Sequence, residues 1–431
     1  MKMVVGPFLD EKIETASVEE LRSLQTRLFR QQIKRVYASS RFYRRKFKAH
    51  GVKPSQIRSL DDVTKLPFTT RAELEENFED ILTVPTTSLA TIRQTSGTTG
   101  SSLTIAHSKK DLDIIANAYA RKLFYHGITN KDIVQVTATY GLWQGAWSIH
   151  SGAEKLGCFV LPVSSGNTER QIKLMKRFAP TVLYAVTSYH FRIAEVAKQM
   201  GEDLRSFSLK MGICVTERPT LQQTNQLKND SGYEKVMIDY GATEFPGFSV
   251  QCRTDPNYHH IYADYHLVES LDQNSHEPVE KGKRGELVVT TLQREAFPLI
   301  RYLSSDVTEL TGCNNCDCGL NHPKVSVDID RKDFMVKVKG TAIFPSSLEH
   351  ILEDFDEVTG RSQIVVDKRT PRQEAILKVE AKTGLPKTVQ QLLKMKIRNA
   401  IKSRVGVTLD EIVFVPDGAF EDKFQKSVVI K

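Results

Sequence analysis

Near the start of the chain, apolar residues return at helical spacing. Leu21, Leu24 and Leu28 are followed by Ile33, Val36 and Tyr37. Ser17 and Glu20 stand ahead of them as a capping-box pair, so the stretch predicts an amphipathic helix. Pro67 breaks the region that follows. From about residue 155 the rhythm becomes strand, helix, strand. Cys158 to Val163 is a short apolar run, and Gly166-Asn167-Thr168 turns the chain into a helix carrying Ile172, Met175 and Phe178. Thr181 to Val186 is the next apolar run, and Lys235 to Tyr240 and Glu286 to Thr291 read as further strands. Continuous apolar runs alternating with helices predict an α/β layer whose strands are buried on both faces.

Beyond about residue 330 the texture changes. Leu348 to Phe355 reads as a short helix, Ile364 to Asp367 and Ala375 to Ala381 as strands, Val389 to Val405 as an amphipathic helix, and Ile412 to Val415 as a last strand. That set suffices for a small α+β domain. Asp330-Arg331-Lys332-Asp333 is a charged break between apolar segments. The expected organisation is a large N-terminal α/β domain, residues 1–328, and a small α+β domain, residues 329–431.

Composition sharpens this only in part. A chain of 431 residues exceeds the usual single core. Its 40% hydrophobic and 26% charged content is that of a globular protein. The net charge of +8 would favour anionic ligands such as nucleotides, although a mixed, solvated surface explains it as well. No basic block with interleaved aromatics marks a nucleic-acid groove, and no apolar run is long enough to span a membrane. The opening Met1-Lys2-Met3-Val4-Val5-Gly6-Pro7 lacks the apolar core of a signal peptide, so the expected location is cytoplasmic.

Five segments carry candidate chemistry. Thr95-Ser96-Gly97-Thr98-Thr99-Gly100-Ser101-Ser102 combines glycines that allow close backbone approach with hydroxyls and N–H groups that can wrap a triphosphate. As structure alone it is a surface loop. Asp239-Tyr240-Gly241-Ala242-Thr243-Glu244 follows an apolar strand, where α/β sheets bind ligands. There Glu244 can hold Mg²⁺ and Tyr240 can stack on a base, while the structural reading is a strand-end turn. In Arg301-Tyr302-Leu303-Ser304-Ser305-Asp306, the aspartate is a turn former after a strand or a partner for ribose hydroxyls. In Glu421-Asp422-Lys423-Phe424-Gln425-Lys426 a lysine is either solvated or delivered to a developing phosphorane charge. Last, Cys313, Cys316 and Cys318 crowd together, which in an unexported chain points to metal. Tetrahedral zinc needs a fourth ligand, for which Cys252, His259 and His260 are all available.

In this order the motifs resemble the phenylacetate–coenzyme A ligase branch of the adenylate-forming enzymes, over nearly the whole chain. The resemblance runs from Phe42-Tyr43-Arg44, Ser59-Leu60-Asp61-Asp62 and Leu66-Pro67-Phe68-Thr69-Thr70 through the loop Thr95 to Gly100. It continues in Tyr140-Gly141-Leu142-Trp143, Gly166 to Gln171, Thr187-Ser188-Tyr189, Tyr240 to Glu244 and Pro298 to Tyr302. Cys316-Asp317-Cys318-Gly319 and Phe344-Pro345-Ser346 complete it. It implies an adenylation domain with a mobile C-terminal domain, turning about Asp333, that carries a catalytic lysine at Lys423. Ser96, Gly97, Thr98, Thr99 and Gly100 would hold the β- and γ-phosphates of ATP, with Tyr240 and Gly241 beside the nucleotide. Thr243 would touch the α-phosphate, Glu244 would bind Mg²⁺, Asp306 would hold the ribose, and Arg331 would contact the nucleotide. Tyr140, Trp143 and Ala242 would line the acyl pocket. Cys252, His260, Cys316 and Cys318 would form a structural Zn²⁺ site. The implied activity joins a small, aromatic carboxylic acid to coenzyme A through an acyl-AMP, and a homodimer is compatible with it.

The chain departs from that pattern in places. Ser101 stands where a lysine usually follows the last loop glycine, which removes one phosphate contact. Met211-Gly212-Ile213-Cys214 replaces a Gly-Ala-Glu-Pro run near the adenine, and Lys426 rivals Lys423. Trp143 and Trp147 would reshape the acyl pocket. These departures keep two other readings in view, an adenylating enzyme that loads a carrier-protein thiol or an amine, and a retired nucleotide-binding scaffold.

Overall fold

A computed structural model describes residues 8–95, 102–312, 316–332, 336–338, 341–343, 345–367, 374–382, 386–405, 407–420 and 428–430. The chain divides into two compact units. One comprises residues 1–304 and 308–328, the other residues 305–307 and 329–431.

In the first unit, helix Val18–Ser39 opens with the expected capping box, Ser17 and Glu20 each satisfying the other's backbone N–H. Strands β1 (Leu89–Gln94) and β2 (Thr104–Ser108) form an antiparallel pair, with Arg93 opposite Ile105 and Thr91 opposite His107. Then come β3 (Ile133–Val136), β4 (Phe159–Leu161), β5 (Val182–Val186), β6 (Met211–Val215) and β7 (Lys235–Asp239). These pair in the order β4-β3-β5-β6-β7, every pair parallel. β6 is buried throughout and β5 nearly so, as their unbroken apolar runs require. Helices cover both faces and divide the core in two. Val134, Val136, Tyr184, Ile213 and Met237 belong to one layer, and Leu183, Cys214, Ile193 and Ile172 to the other.

A second sheet follows, built from β8 (Ser249–Gln251), β9 (Tyr258–Ile261), β10 (His266–Leu271), β11 (Arg284–Thr291), β12 (Tyr302–Thr311) and β13 (Lys324–Ser326). Its order is β10-β11-β12-β13-β9-β8. Phe29, Phe47, Phe245, Phe248, Phe297 and Leu299 pack this region against the N-terminal helices.

In the second unit, β14 (Asp330–Arg331) pairs antiparallel with Asp306 and Val307. The charged stretch expected to be a break is therefore partly a strand. Asp306, for which a turn former and a ribose partner were the two readings, lies inside β12, which excludes the turn. Their opposite charges explain the pairing, because Arg331 Nη1 lies 3.0 Å from Asp306 Oδ1 across the ladder. β15 (Val336–Val338) and β16 (Thr341–Ile343) pair antiparallel. β17 (Val358–Asp367), β18 (Glu374–Ala381), β19 (Glu411–Val415) and β20 (Val428–Ile430) form a sheet in the order β19-β18-β17-β20. Helices Pro345–Leu352 and Lys387–Val405 cover it through Leu348, Leu352, Leu393, Ile397 and Ile401. Among the described residues, no helix is long and apolar enough to cross a membrane.

Candidate active site and metal cluster

The site begins at the carboxyl end of β7. Asp239, its last residue, is buried and meets Lys122 of helix Lys109–Tyr125 in an ion pair. The hydroxyls of Tyr119 and Tyr184 each donate to the same carboxylate at 3.3 Å. Burial, with Asp239 beside them, pushes both phenols well above their ordinary range, so they stay protonated donors. A buried carboxylate with three partners is a fixed point, and the segment from Tyr240 to Glu244 leaves from it.

Tyr240 packs edge-on against Phe248, and its carbonyl accepts from Ser249 Oγ at 3.1 Å. Thr243 and Glu244 follow, 8% and 5% exposed. Glu244 Oε1 accepts from the Tyr302 hydroxyl at 3.2 Å and lies 3.6 Å from Arg71 Nη1, while its carbonyl accepts from Arg294 Nη2 at 3.1 Å. The same Arg71 donates through Nη2 to Thr95 Oγ1 at 2.9 Å and through Nε to Glu75 at 2.9 Å. Thr95 closes the neck of its loop, its N–H donating to Leu103 O at 3.1 Å and its hydroxyl accepting from Leu103 N at 3.0 Å. Two of the motifs, far apart in sequence, thus meet through one guanidinium. A carboxylate oxygen at the mouth of a parallel sheet is a group of the kind that could hold magnesium.

Other expected residues fall into smaller groups. Tyr140 and Trp143 pack on one core, whereas Ala242 packs with Tyr240 on another. Tyr140 stands edge-on to Trp147 at 5.0 Å, and its hydroxyl shares a hydrogen bond with His150 at 2.9 Å. Asp306 and Arg331 bond each other, and Ser305 beside them takes a left-handed φ of 64°. Ser96, Gly97, Thr98, Thr99, Gly100, Ser101, Cys313, Asp333, Lys339, Gly340, Phe344, Lys423 and Lys426 lie outside the described residues.

Cys252, His260, Cys316 and Cys318 come together with all four ligand atoms within 4.8 Å of one another. Cys252 and Cys316 sulfurs are 3.6 Å apart, and Cys318 Sγ is 3.2 Å from His260 Nε2. His260 Nδ1 is bonded to His322 O at 2.9 Å, which turns Nε2 toward the thiols. Hydrogen bonding from Cys318 pulls the Cys252 thiol far below its ordinary range, so a thiolate is already favoured. Three sulfurs and one imidazole at these separations suit a tetrahedral cation of the zinc type. The choice between the adjacent histidines follows from strand alternation. On β9, His259 faces the other way, toward Ser249 at 3.3 Å and the Tyr240 ring.

The sequence reading passed over Arg71, Tyr302, Lys122 and His322 as site residues. Arg71 directly follows Thr69-Thr70, and Tyr302 lies in the segment Arg301 to Asp306, but only packing shows that both reach Glu244.

The family model of the AMP-binding enzymes matches residues 2–293, and that of the AMP-binding enzyme C-terminal domain matches residues 340–431. Phenylacetate–coenzyme A ligase of Escherichia coli (strain K12) is 34% identical over 418 residues, 95% of this chain and 94% of the relative. The enzyme of the same name from Thermus thermophilus is 33% identical over 425 residues, 94% of this chain and 95% of the relative. Among solved structures, 2-hydroxyisobutyryl-CoA ligase in the postadenylation state with 2-HIB-AMP shares the fold, with a TM-score of 0.86 at 24% identity, covering 100% of this chain and 95% of that one. Matched by family models in both of its parts and by these relatives along nearly its whole length, the chain belongs to the AMP-binding enzymes, in the branch of the phenylacetate–coenzyme A ligases.

Proposed function

We propose that this chain activates a small aromatic carboxylic acid with ATP as an acyl-AMP and passes the acyl group to coenzyme A. The observation that carries the reading is the meeting of Glu244, Arg71 and Thr95, a strand-end carboxylate and a phosphate-type loop joined by one guanidinium. In the first step a substrate carboxylate oxygen attacks the α-phosphorus, the bond to the β-phosphate breaks, and pyrophosphate leaves. Backbone N–H groups and hydroxyls of Ser96 to Gly100 hold the β- and γ-phosphates, and Thr243 meets the α-phosphate. Arg71 stands where it can supply the cation that Ser101 does not. Magnesium at Glu244 would offset phosphate charge. Lys423 brings its ammonium to the charge that builds on the α-phosphate, Asp306 and Arg331 serve the ribose side of the nucleotide, and Tyr140, Trp143 and Ala242 line the acyl pocket. In the second step the coenzyme A thiol attacks the acyl carbonyl and AMP leaves. Rotation about Asp333 would exchange Lys423 for the face carrying Lys339 and Gly340.

Zinc at Cys252, His260, Cys316 and Cys318 would be structural, since no open ligand position is left over from the four. The free thiols of Cys158 and Cys214 fit the reducing conditions of the cytoplasm.

The test is pyrophosphate release from ATP and Mg²⁺ across a panel of acids, with and without coenzyme A. Acid-dependent release, with a thioester found by mass spectrometry, is expected. Release without a thioester would move the acceptor to a carrier-protein thiol or an amine. ATP binding without release for any acid would leave either a substrate outside the panel or a retired scaffold.

A further inference from the structure

Asp239 anchors the segment that runs to Glu244 from behind, and a second set of contacts holds Tyr240, the residue that follows it. The Tyr240 carbonyl accepts from the Ser249 hydroxyl at 3.1 Å, and the same Ser249 Oγ lies 3.3 Å from His259 Nδ1. Ser249 of β8 and His259 of β9 are 0% and 1% exposed, so both bonds lie in the interior. Ser249 stands opposite Ile261 in the ladder, which makes His259, two residues earlier, its diagonal neighbour on the same face.

Hydrogen-bond stoichiometry gives this chain of contacts a direction. A serine hydroxyl has one proton to donate, and a carbonyl only accepts. The Ser249 proton therefore goes to Tyr240, and toward His259 the hydroxyl oxygen is left to accept. That fixes a proton on His259 Nδ1, and the relay runs from His259 Nδ1–H to Ser249 Oγ–H to the Tyr240 carbonyl. The rings repeat the connection. Tyr240 stands edge-on to His259 with ring centroids 6.0 Å apart, and edge-on to Phe248 at 5.5 Å.

The support behind the relay is stiff. β9 pairs with β8 on one side and with β13 on the other, and its next residue, His260, turns to the Cys318 sulfur on the opposite face. A leucine would fill the place of His259 at less cost. Among the described residues His259 Nε2 has no hydrogen-bond partner, and burial penalises a polar atom left so. What the imidazole adds over a leucine is the Nδ1 donor and a ring edge, and both act on Tyr240. We infer that His259 is a positioning residue, which through Ser249 sets the carbonyl and the ring of Tyr240 for the nucleotide. The inference rests on the ligase reading above, in which Tyr240 lies beside the nucleotide.

The test measures ATP binding to the full chain by calorimetry, with Mg²⁺ and without acid, and then kcat and the KM values for ATP and for the acid in pyrophosphate release. His259→Leu should weaken ATP binding and raise the KM for ATP by about tenfold, the worth of one buried hydrogen bond, with kcat and the KM for the acid within about twofold. His259→Asn, whose amide N–H₂ can stand in for Nδ1–H, should restore most of the affinity. Ser249→Ala should weaken ATP binding as His259→Leu does, and the double variant should lose no more than either alone, because both break one relay. Unchanged ATP affinity in His259→Leu overturns the inference and leaves the ligase standing. Equal losses for ATP and acid, or losses that add in the double variant, show that His259 only holds the fold and overturn it too. A wild type that binds no ATP removes both the inference and the ligase. Where His259→Leu does not fold, Ser249→Ala decides by the same affinity, and no change there overturns the inference.

Discussion

The Cys/His cluster and the end of β7 both gather charged or ionisable groups within the first unit, yet they do so in opposite ways. The cluster is closed on three of its four members. Cys252, His260 and Cys318 are 2%, 1% and 0% exposed, Cys316 is half-buried, and the four ligand atoms face one another. The end of β7 is closed only at its base. Asp239 is locked by Lys122 and two tyrosines, whereas Glu244, five residues on, shares its carboxylate with Tyr302 and a guanidinium at ion-pair distance. A group meant to hold structure spends all its contacts on the protein. A group meant for a substrate is anchored nearby and keeps contacts that a ligand can replace.

If that contrast is right, variants should separate stability from chemistry. The largest effect is expected for Cys316→Ser, which should lose bound metal and about 5 kcal/mol of stability, since losing a structural metal belongs to the most damaging changes. Metal analysis and denaturant unfolding check it, and purified wild type without zinc would remove the claim. Next, Lys122→Met keeps the packing volume but leaves Asp239 buried without its cation, for roughly 3–4 kcal/mol in the same unfolding measurement. Lys423→Ala should behave oppositely, with pyrophosphate release falling about 100- to 1,000-fold at an unchanged unfolding midpoint. Full activity in that variant would shift the role to Lys426. The smallest change is Tyr302→Phe, which removes one hydrogen bond to Glu244. It should alter the Mg²⁺ dependence of the rate by about fivefold to tenfold, as one bond to a charged group is worth, with little change in stability.

Element types were legible because their signals are local. The capping box of Ser17 and Glu20, the buried runs of β5 and β6 and the apolar face of Lys387–Val405 all reside in neighbouring residues. Strand limits were less so. β17 begins at Val358 rather than Ile364, because pairing with β18 extends order into a segment with no apolar alternation. Asp306 looked like a turn residue for the same reason, since its partner Arg331 belongs to a different stretch of chain.

By itself, the sequence determined the strand–helix alternation, the strand-end carboxylate and the crowding of cysteines that meets Cys252 and a histidine, because each depends on residue type at short spacing or on a motif. Only the tertiary structure showed that His260 turns toward the thiols while His259 faces away, that Arg71 joins Thr95 to Glu244, and that Arg294 meets His107 in the interior. These are matters of direction and of burial. A side chain's direction is set by the face its strand presents, and the value of a charge is set by how much water and how many partners packing leaves around it.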